Sequence, residues 1–415
     1  LSIGSRFQSA SDRSKLRSKL QVLHNLHIES HMKFIAYHWY KSHLFSCIQK
    51  SRGFSSLTMN SHSQIHTNLI SSQTLTSLSS TSITFPHQNL ISIPLSNTSS
   101  LILLNKPSTY HAMNSSMSHS LHNFLASSQH NSNSPHSLVF LSSTNSTKRP
   151  VFCSGGDVKS IITHSNPISA SDEFFFHEYH LIHYFSKASQ PPYNQCIVPI
   201  LNGICYGGGL GLSIHLPIRI ITENTICAMP EVHIGFNPDI AFGFAARNVL
   251  KPGVGLYMAL TGDSIHGMDC IETHIGTHFI PRNQIEHLIP EVIKRIGDGK
   301  MDWMRIGEVL SEVEGELCAQ ECIDLKRIRG WKYKNIVERC FVDVKSVNEV
   351  IERLECDEEK ELSEKILEKM RSGSGISVCL AFENLMRNER LELDLEESLK
   401  QDGRIAANCV RSDKS

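Results

Sequence analysis

The sequence predicts an α/β fold, and two strand–turn–helix units carry that prediction. In the first unit, an apolar strand at 137–141 is followed by a small-residue turn at 154–157 and then by a helical pattern. In the second unit, an apolar strand at 197–201 is followed by three glycines at 207–209, which open a helix. Apolar residues make up 40% of the 415-residue chain, enough for one large domain with an appendage or for two domains.

The elements before the second unit follow from turn residues and apolar spacing. Residues 90–95 and 101–104 are predicted to pair as a β-hairpin, because a polar turn separates the two apolar runs. Apolar side chains at helical spacing predict a helix over 113–127. The helix after the first small-residue turn is expected to direct three apolar side chains inward: Val158, Ile161 and Ile162.

The elements after the second unit are mostly helical. Residues 235–239 are predicted to form a turn, followed by a helix over 240–250 whose N-terminus lies close to Asp239. Two helices around a glycine stop and a short strand at 277–280 complete the α/β part. In the charged remainder, apolar residues at intervals of three and four predict helices over 347–354, 362–370 and 378–386.

Composition divides the chain into four segments. Residues 1–55 carry nine basic residues and are predicted to be a mitochondrial presequence, the alternative being a disordered extension. Residues 56–89 are dominated by polar side chains and are predicted to be a linker, with order beginning at residue 90. Residues 90–285 then form the α/β core, and residues 286–415 a helical C-terminal region.

The formal net charge of −1 hides an uneven distribution. Residues 1–156 contain two acidic residues against twelve Lys and Arg, whereas residues 301–415 contain 26 acidic and 19 basic residues. A basic leader is typical of targeting or of an anionic partner such as RNA, and an acidic tail is typical of solvated helix faces. The twelve cysteines are scattered without metal-ligand spacing, which favours a reducing compartment or the mitochondrial matrix over secretion.

The two glycine-containing turns indicate a possible oxyanion hole. N–H groups at a helix start have no partner within the helix, and glycines let a carbonyl oxygen approach them closely. If the two turns lie side by side, each supplies one N–H to the same oxygen. Glycine triplets also serve close helix-to-strand packing, which would be the commoner explanation of this feature taken alone. A phosphate-binding P-loop and a Gly-x-Ser-x-Gly nucleophile elbow are both absent from the sequence.

Six motifs, taken together and in order, resemble the crotonase superfamily and specifically its 3-hydroxyisobutyryl-CoA hydrolase branch. They are Leu-Asn-Lys-Pro with Ala-Met-Asn (104–114), Phe-Cys-Ser-Gly-Gly-Asp (152–157), Tyr-Gly-Gly-Gly-Leu-Gly-Leu-Ser (206–213), Ala-Met-Pro-Glu (228–231), Gly-Phe-Asn-Pro-Asp (235–239) and Ala-Leu-Thr-Gly (259–262). The resemblance spans roughly residues 90–409. It implies a crotonase-like fold of stacked ββα units in two roughly perpendicular sheets, with a helical C-terminal part.

The resemblance also implies a thioester-binding site. By position, the backbone N–H groups of Ser154 or Gly155 and of Gly208 form the oxyanion hole for the thioester oxygen. Glu231 and Asp239 flank the reacting carbonyl as the catalytic and substrate-binding carboxylates. The substrate is an acyl-CoA, so coenzyme A belongs to the substrate, and neither a separate cofactor nor a metal is implied.

Two further positions refine this assignment. Glu178 matches an acidic position that helps to bind the hydroxyl group of the substrate. At Gly211, enoyl-CoA hydratases carry a second catalytic Glu, so the glycine here disfavours hydration and favours hydrolysis. Glu231 then acts either as a nucleophile that forms a transient anhydride or as a base on water, while Asp239 positions water or the proton. A helix-capping role is the structural alternative for Asp239.

Three functions follow from these observations. The first is hydrolysis of 3-hydroxyisobutyryl-CoA in valine breakdown in the mitochondrial matrix, by a single chain or a homo-oligomer. The second is a structural subunit of the mitochondrial ribosomal small subunit, because some proteins that resemble this branch serve there; its partners would be mitochondrial ribosomal RNA and proteins. The third is another crotonase reaction, enoyl-CoA hydration or isomerisation.

Overall fold

A computed structural model describes residues 84–127, 137–144, 149–190, 193–297, 303–321, 323 and 330–411. The predicted leader (1–55) and most of the predicted linker (56–89) lie outside these residues. Within the described residues no helix is both long enough and apolar enough to cross a membrane.

The strands in the described part of the chain are β1 (Thr84–His87), β2 (Leu90–Pro94), β3 (Ser99–Leu104), β4 (Ser137–Ser143), β5 (Val151–Cys153), β6 (Gln195–Leu201), β7 (Ile204–Tyr206), β8 (Ile220–Ile221), β9 (Ile226–Ala228), β10 (Ser264–His266) and β11 (His278–Phe279). The α-helices are α1 (Ser115–Ser127), α2 (Val158–Ile162), α3 (Pro167–Lys187), α4 (Gly208–Gly211), α5 (Phe242–Asn248), α6 (Val254–Thr261), α7 (Asp269–Glu272), α8 (Ile285–Ile296), α9 (Trp303–Gln320), α10 (Lys334–Cys340), α11 (Val347–Cys356), α12 (Lys360–Ser372), α13 (Gly375–Arg390) and α14 (Leu395–Arg411). The predicted α/β class and the predicted C-terminal helices are therefore confirmed.

The strands form two sheets. The larger sheet has the order β1-β2-β3-β4-β6-β8-β11, in which β1, β2 and β3 pair antiparallel and the strands from β3 onward pair parallel. The smaller sheet has the order β10-β9-β7-β5, in which β9, β7 and β5 run parallel. The predicted hairpin is the β2–β3 pair, with Leu90 opposite Leu104.

Two predictions about the N-terminal half were wrong. Ordered structure begins no later than residue 84, whereas the sequence predicted that it begins at residue 90. Strand β1 pairs with β2 through backbone hydrogen bonds, and the polar side chains of this segment give no sign of that pairing. Of the three side chains expected to point inward from α2, only Ile161 is buried, whereas Val158 and Ile162 are 38% and 36% exposed. This surface helix is five residues long, and only Ile161 faces the core. The other two apolar side chains therefore remain in contact with solvent.

The larger sheet is buried on both faces, as parallel sheets usually are. Successive side chains of a strand point to opposite faces, so Leu101 and Leu103 of β3 join a cluster with α8 and α9. Ile102 and Leu104 join the other cluster, which contains the smaller sheet and the helices around the glycine turns. The strand pattern therefore separates a structural face from the face that bears the site.

The C-terminal helices pack directly against the α/β part. Helix α13 packs on α5 and α14 packs on α3. Arg247 of α5 donates hydrogen bonds to the carbonyl oxygens of Asn388 and Leu393, which fixes the end of α13. The helical region is therefore joined to the segment that follows Asp239.

Candidate active site

Parallel pairing brings three turns to one edge of the smaller sheet. Strands β9, β7 and β5 are neighbours and run in the same direction, so their carboxyl ends meet. The residues that follow them are Glu231, the glycines 207–209 and the turn at 154–157. The two glycine turns and a carboxylate, which are up to about eighty residues apart in sequence, thus share one site.

The first turn offers the N–H group of Gly156, whereas the resemblance implied that of Ser154 or Gly155. The Ser154 N–H donates to the Tyr110 carbonyl oxygen at 3.1 Å, so Ser154 is unavailable as an oxyanion donor. Met113 forms a parallel β-bridge with Gly156: the Met113 N–H donates to the Gly155 carbonyl oxygen, and the Asp157 N–H donates to the Met113 carbonyl oxygen. In this pairing the Gly156 N–H points away from Met113. The prediction of Ser154 was wrong because it did not account for this contact with Tyr110.

Gly156 and Gly208 lie next to each other across the two turns. A Cβ atom built on Gly208 would be 3.4 Å from the Gly156 nitrogen, and one built on Gly155 would be 3.7 Å from the Gly208 nitrogen. The Gly208 N–H begins helix α4 and therefore has no partner within that helix. The φ of 105° at Gly155, which favours glycine, allows the turn to reach this position. The arrangement can present two N–H groups to one oxygen.

Two carboxyl groups occupy the space that the glycines leave open. A Cβ atom on Gly207 would lie 2.5 Å from Glu231 Oε1, and a Cβ atom on Gly208 would lie 2.2 Å from Glu178 Oε1. Both carboxyl groups are buried, and in the described chain Glu178 Oε1 and Glu231 Oε2 have no hydrogen-bond partner. Buried polar atoms without a partner are uncommon in native proteins, so these two are available to a substrate.

Asp239 completes the cluster of carboxyl groups. Its Oδ2 atom accepts a hydrogen bond of 2.8 Å from the Tyr179 hydroxyl, and Tyr179 follows Glu178 on helix α3. The structure thus brings Glu178, Glu231 and Asp239, the three carboxyl groups that the resemblance implied, into one buried site. Tyr179 was missed, although its place next to a predicted substrate-binding residue was the available signal.

Burial sets the ionisation of these groups. Desolvation raises the pKa of Glu178 and of Glu231 well above the usual range, and the charge of Asp239 raises both further. Burial also raises the pKa of Asp239, to about 6, against the hydrogen bond from Tyr179, which lowers it. Carboxyl groups with raised pKa values are typical of acid–base sites.

Position 211 is closely packed around the glycine, where a hydratase carries its second catalytic Glu. A Cβ atom on Gly211 would lie 3.0 Å from Ile182 Cδ1 and 3.1 Å from Ile240 Cβ. A longer side chain would therefore have to displace buried aliphatic groups. In the described ranges, no group of three or more His, Cys, Asp or Glu side chains is arranged to hold a metal ion.

The sequence around this site matches a known protein family. Residues 99–415 match the family described as enoyl-CoA hydratase/isomerase. The chain belongs to this family. The resemblance to the crotonase superfamily, seen in the six motifs, is thereby confirmed. The fold agrees, because this family member superposes on a carnitinyl-CoA dehydratase from Mycobacterium thermoresistibile with a TM-score of 0.61 and 22% identity, over 78% of this chain and 86% of the other.

Similar proteins with known names include both an enzyme and a ribosomal protein. A mitochondrial 3-hydroxyisobutyryl-CoA hydrolase from Danio rerio is 29% identical over 259 residues, which are 62% of this chain and 64% of the relative. The small ribosomal subunit protein mS47 from Schizosaccharomyces pombe is 38% identical over 140 residues, which are 33% of this chain and 31% of the relative. The match with the hydrolase spans just under two thirds of its length.

The raised pKa of Asp239 makes stability depend on pH. Between pH 4 and 6 the unfolded chain loses this proton while the folded chain keeps it, so stability falls as pH rises through the window. Asp239→Asn lacks this proton release. We expect its free energy of unfolding, relative to the wild type, to increase from pH 4 to pH 7 by up to about 3 kcal/mol.

Urea unfolding at both pH values measures this difference, and Asp172→Asn on the surface of α3 is the matched exchange. A difference between Asp239→Asn and the wild type that stays constant with pH would contradict the assigned shift.

Proposed function

We infer that the protein is an acyl-CoA thioester hydrolase that acts on 3-hydroxyisobutyryl-CoA in mitochondria. One observation carries the proposal: three buried carboxyl groups lie beside two adjacent backbone N–H donors, and two of those carboxyl groups have atoms without a partner in the described structure. The similarity to the named hydrolases and their mitochondrial location support the choice of substrate and compartment.

The N–H groups of Gly156 and Gly208 hold the thioester oxygen in this mechanism. Negative charge develops on that oxygen when the carbonyl carbon is attacked, and each preorganised donor stabilises the transition state by about 3–4 kcal/mol. Neither N–H group can supply or activate the attacking group. That task falls to a carboxylate on the other side of the carbonyl.

Glu231 is the residue that supplies or activates the attacking group. As a nucleophile it forms an anhydride with the acyl group while the C–S bond breaks, and water then hydrolyses the anhydride. As a base it removes a proton from the attacking water directly. In both cases CoA leaves as a thiolate that takes up one proton, and Asp239, oriented by Tyr179, positions the water or that proton.

Glu178 determines which acyl groups fit. Its Oε1 atom lies against Gly208 without a partner in the described structure, so it can accept a hydrogen bond from a hydroxyl group on the acyl chain. A protonated Glu178 can also donate one, because its pKa is raised by burial. An acyl group that carries a carboxylate would be repelled by the three acidic side chains. No separate cofactor is needed for this chemistry.

A subunit of the mitochondrial ribosome is the second candidate. The similarity to protein mS47 favours it, together with the excess of basic residues in 1–156. Hydration is the less favoured reaction, because position 211 is a glycine and supplies no second carboxylate, and a side chain there would press against Ile182 and Ile240.

Glu231→Gln tests the proposal directly. The exchange keeps the shape of the side chain but removes the carboxylate, so release of CoA thiol from 3-hydroxyisobutyryl-CoA should fall at least about a hundredfold. Glu314→Gln is the matched control, because Glu314 is a partly buried carboxylate on α9, remote from the site, that accepts the Phe279 N–H. The control should retain wild-type activity.

The measurement is a thiol-release assay on folded, purified variants. If the wild type is active and Glu231→Gln matches it, the assignment of Glu231 is wrong. A folded wild type that hydrolyses no acyl-CoA would contradict the hydrolase function.

Sedimentation distinguishes the two candidates in mitochondrial extracts. The hydrolase function predicts that the native protein sediments as a small free species at all salt concentrations. Co-sedimentation with the small ribosomal subunit, weakening steeply as salt is raised, would instead support the ribosomal function.

A further inference from the structure

The turn that follows Asp239 has an unusual backbone conformation. Ile240 and Ala241 both have positive φ values, of 58° and 54°. Residues other than glycine adopt this region rarely, because it brings the Cβ atom close to the following carbonyl oxygen, and a β-branched residue adopts it more rarely still. Such a conformation persists only where the surrounding structure holds it. The turn therefore depends on contacts from elsewhere in the fold.

Helix α14 supplies the main contact. Asp402 Oδ2 accepts a hydrogen bond of 2.8 Å from the Ala241 N–H. Asp402 Oδ1 accepts one of 3.0 Å from Asn384 Nδ2, and the same nitrogen lies 3.5 Å from the Pro238 carbonyl oxygen. The pair from α13 and α14 thus contacts the backbone on both sides of Asp239.

Other contacts hold the rest of the turn. His215 Nε2 donates to the Ile240 carbonyl oxygen at 2.7 Å, and burial lowers the pKa of His215 to about 4, so its ring is neutral. Tyr179 binds the Asp239 carboxylate itself. Asp402 is the contact that meets the N–H of the second strained residue, Ala241.

Burying Asp402 lowers the stability of the fold, so packing alone does not explain this residue. It is only 1% exposed, and its pKa is raised well above the usual range by burial and then by the charge of Asp239. A buried carboxyl group near another carboxylate costs stability, whereas an apolar side chain of similar size would not. Its two hydrogen bonds offset part of this destabilisation, and one of them is made to the turn that follows Asp239.

We propose that Asp402 is a positioning residue for Asp239. Its two carboxyl oxygens bond to protein groups, the Ala241 N–H and the Asn384 amide. It holds the Ala241 amide, so that the strained turn keeps the Asp239 carboxylate beside Tyr179 and within the site. The contact itself is independent of the proposed hydrolase function, whereas its effect on rate rests on that function.

Amide hydrogen exchange tests the contact. Asp402→Ala removes both acceptor atoms, so exchange at the Ala241 amide should become at least about tenfold faster, while β6 (Gln195–Leu201) remains as slow as in the wild type. Ser398→Ala is the matched control: Ser398 lies one turn earlier on α14, is buried, and its Oγ has no partner in the described chain. It should leave Ala241 unchanged. Asp402→Asn keeps one acceptor oxygen and should give an intermediate rate.

A double-mutant cycle tests the role. In the wild-type background, Asp402→Ala should lower the kcat of thiol release at least about tenfold with little change in KM, because a misplaced catalytic group affects the transition state most. In the Asp239→Asn background the same exchange should change kcat by less than about twofold. A purely structural role would give the same loss in both backgrounds.

Each outcome decides between these roles. Faster exchange at Ala241 together with a non-additive cycle supports the proposal. Unchanged exchange at Ala241, or an additive cycle in an active enzyme, overturns it. If the wild type hydrolyses no acyl-CoA, the proposed function fails, and exchange at Ala241 alone decides whether Asp402 holds the turn.

Discussion

The burial of Glu178, Glu231 and Asp239 in one place is the constraint on which the rest of this structure depends. Taking carboxylates out of water costs several kcal/mol each, and their mutual repulsion adds to that cost. In the described part of the chain no buried cation pairs with these groups, and burial raises the pKa of each one instead. The scaffold must therefore hold the groups together against their own electrostatics.

Parallel strands and glycines provide that hold. Strands β5, β7 and β9 end at one edge and bring the turns together, and the missing side chains of Gly207 and Gly208 make room for two carboxyl groups. The same lack of side chains leaves two N–H groups open to a ligand. The run of glycines thus has two effects: it makes room for the carboxyl groups, and it leaves backbone N–H groups accessible. The C-terminal helices add the third support, through the turn after Asp239.

Much of this arrangement could be predicted from sequence. The hairpin, the two glycine turns and the C-terminal helices follow from short-range patterns. Glu178, Glu231 and Asp239 came instead from the resemblance to the crotonase superfamily, which assigns them by position. The candidate N–H donor in the first turn was harder to predict, because it depends on where each backbone N–H points. The Tyr110 carbonyl accepts the Ser154 N–H, and no local pattern shows that contact. Asp402 could not be predicted, since its partner Ala241 is 161 residues away and no local pattern links them.

We expect a bound thioester oxygen to accept hydrogen bonds from the Gly156 and Gly208 N–H groups, opposite Glu231. Isotope-edited infrared spectroscopy of a carbonyl-labelled acyl-CoA bound to the variant Glu231→Gln measures these hydrogen bonds directly. Two hydrogen bonds weaken the C=O bond, so the carbonyl stretch should move to lower wavenumber than in water. A stretch that stays unchanged or moves to higher wavenumber on binding would show that these N–H groups do not hold the oxygen.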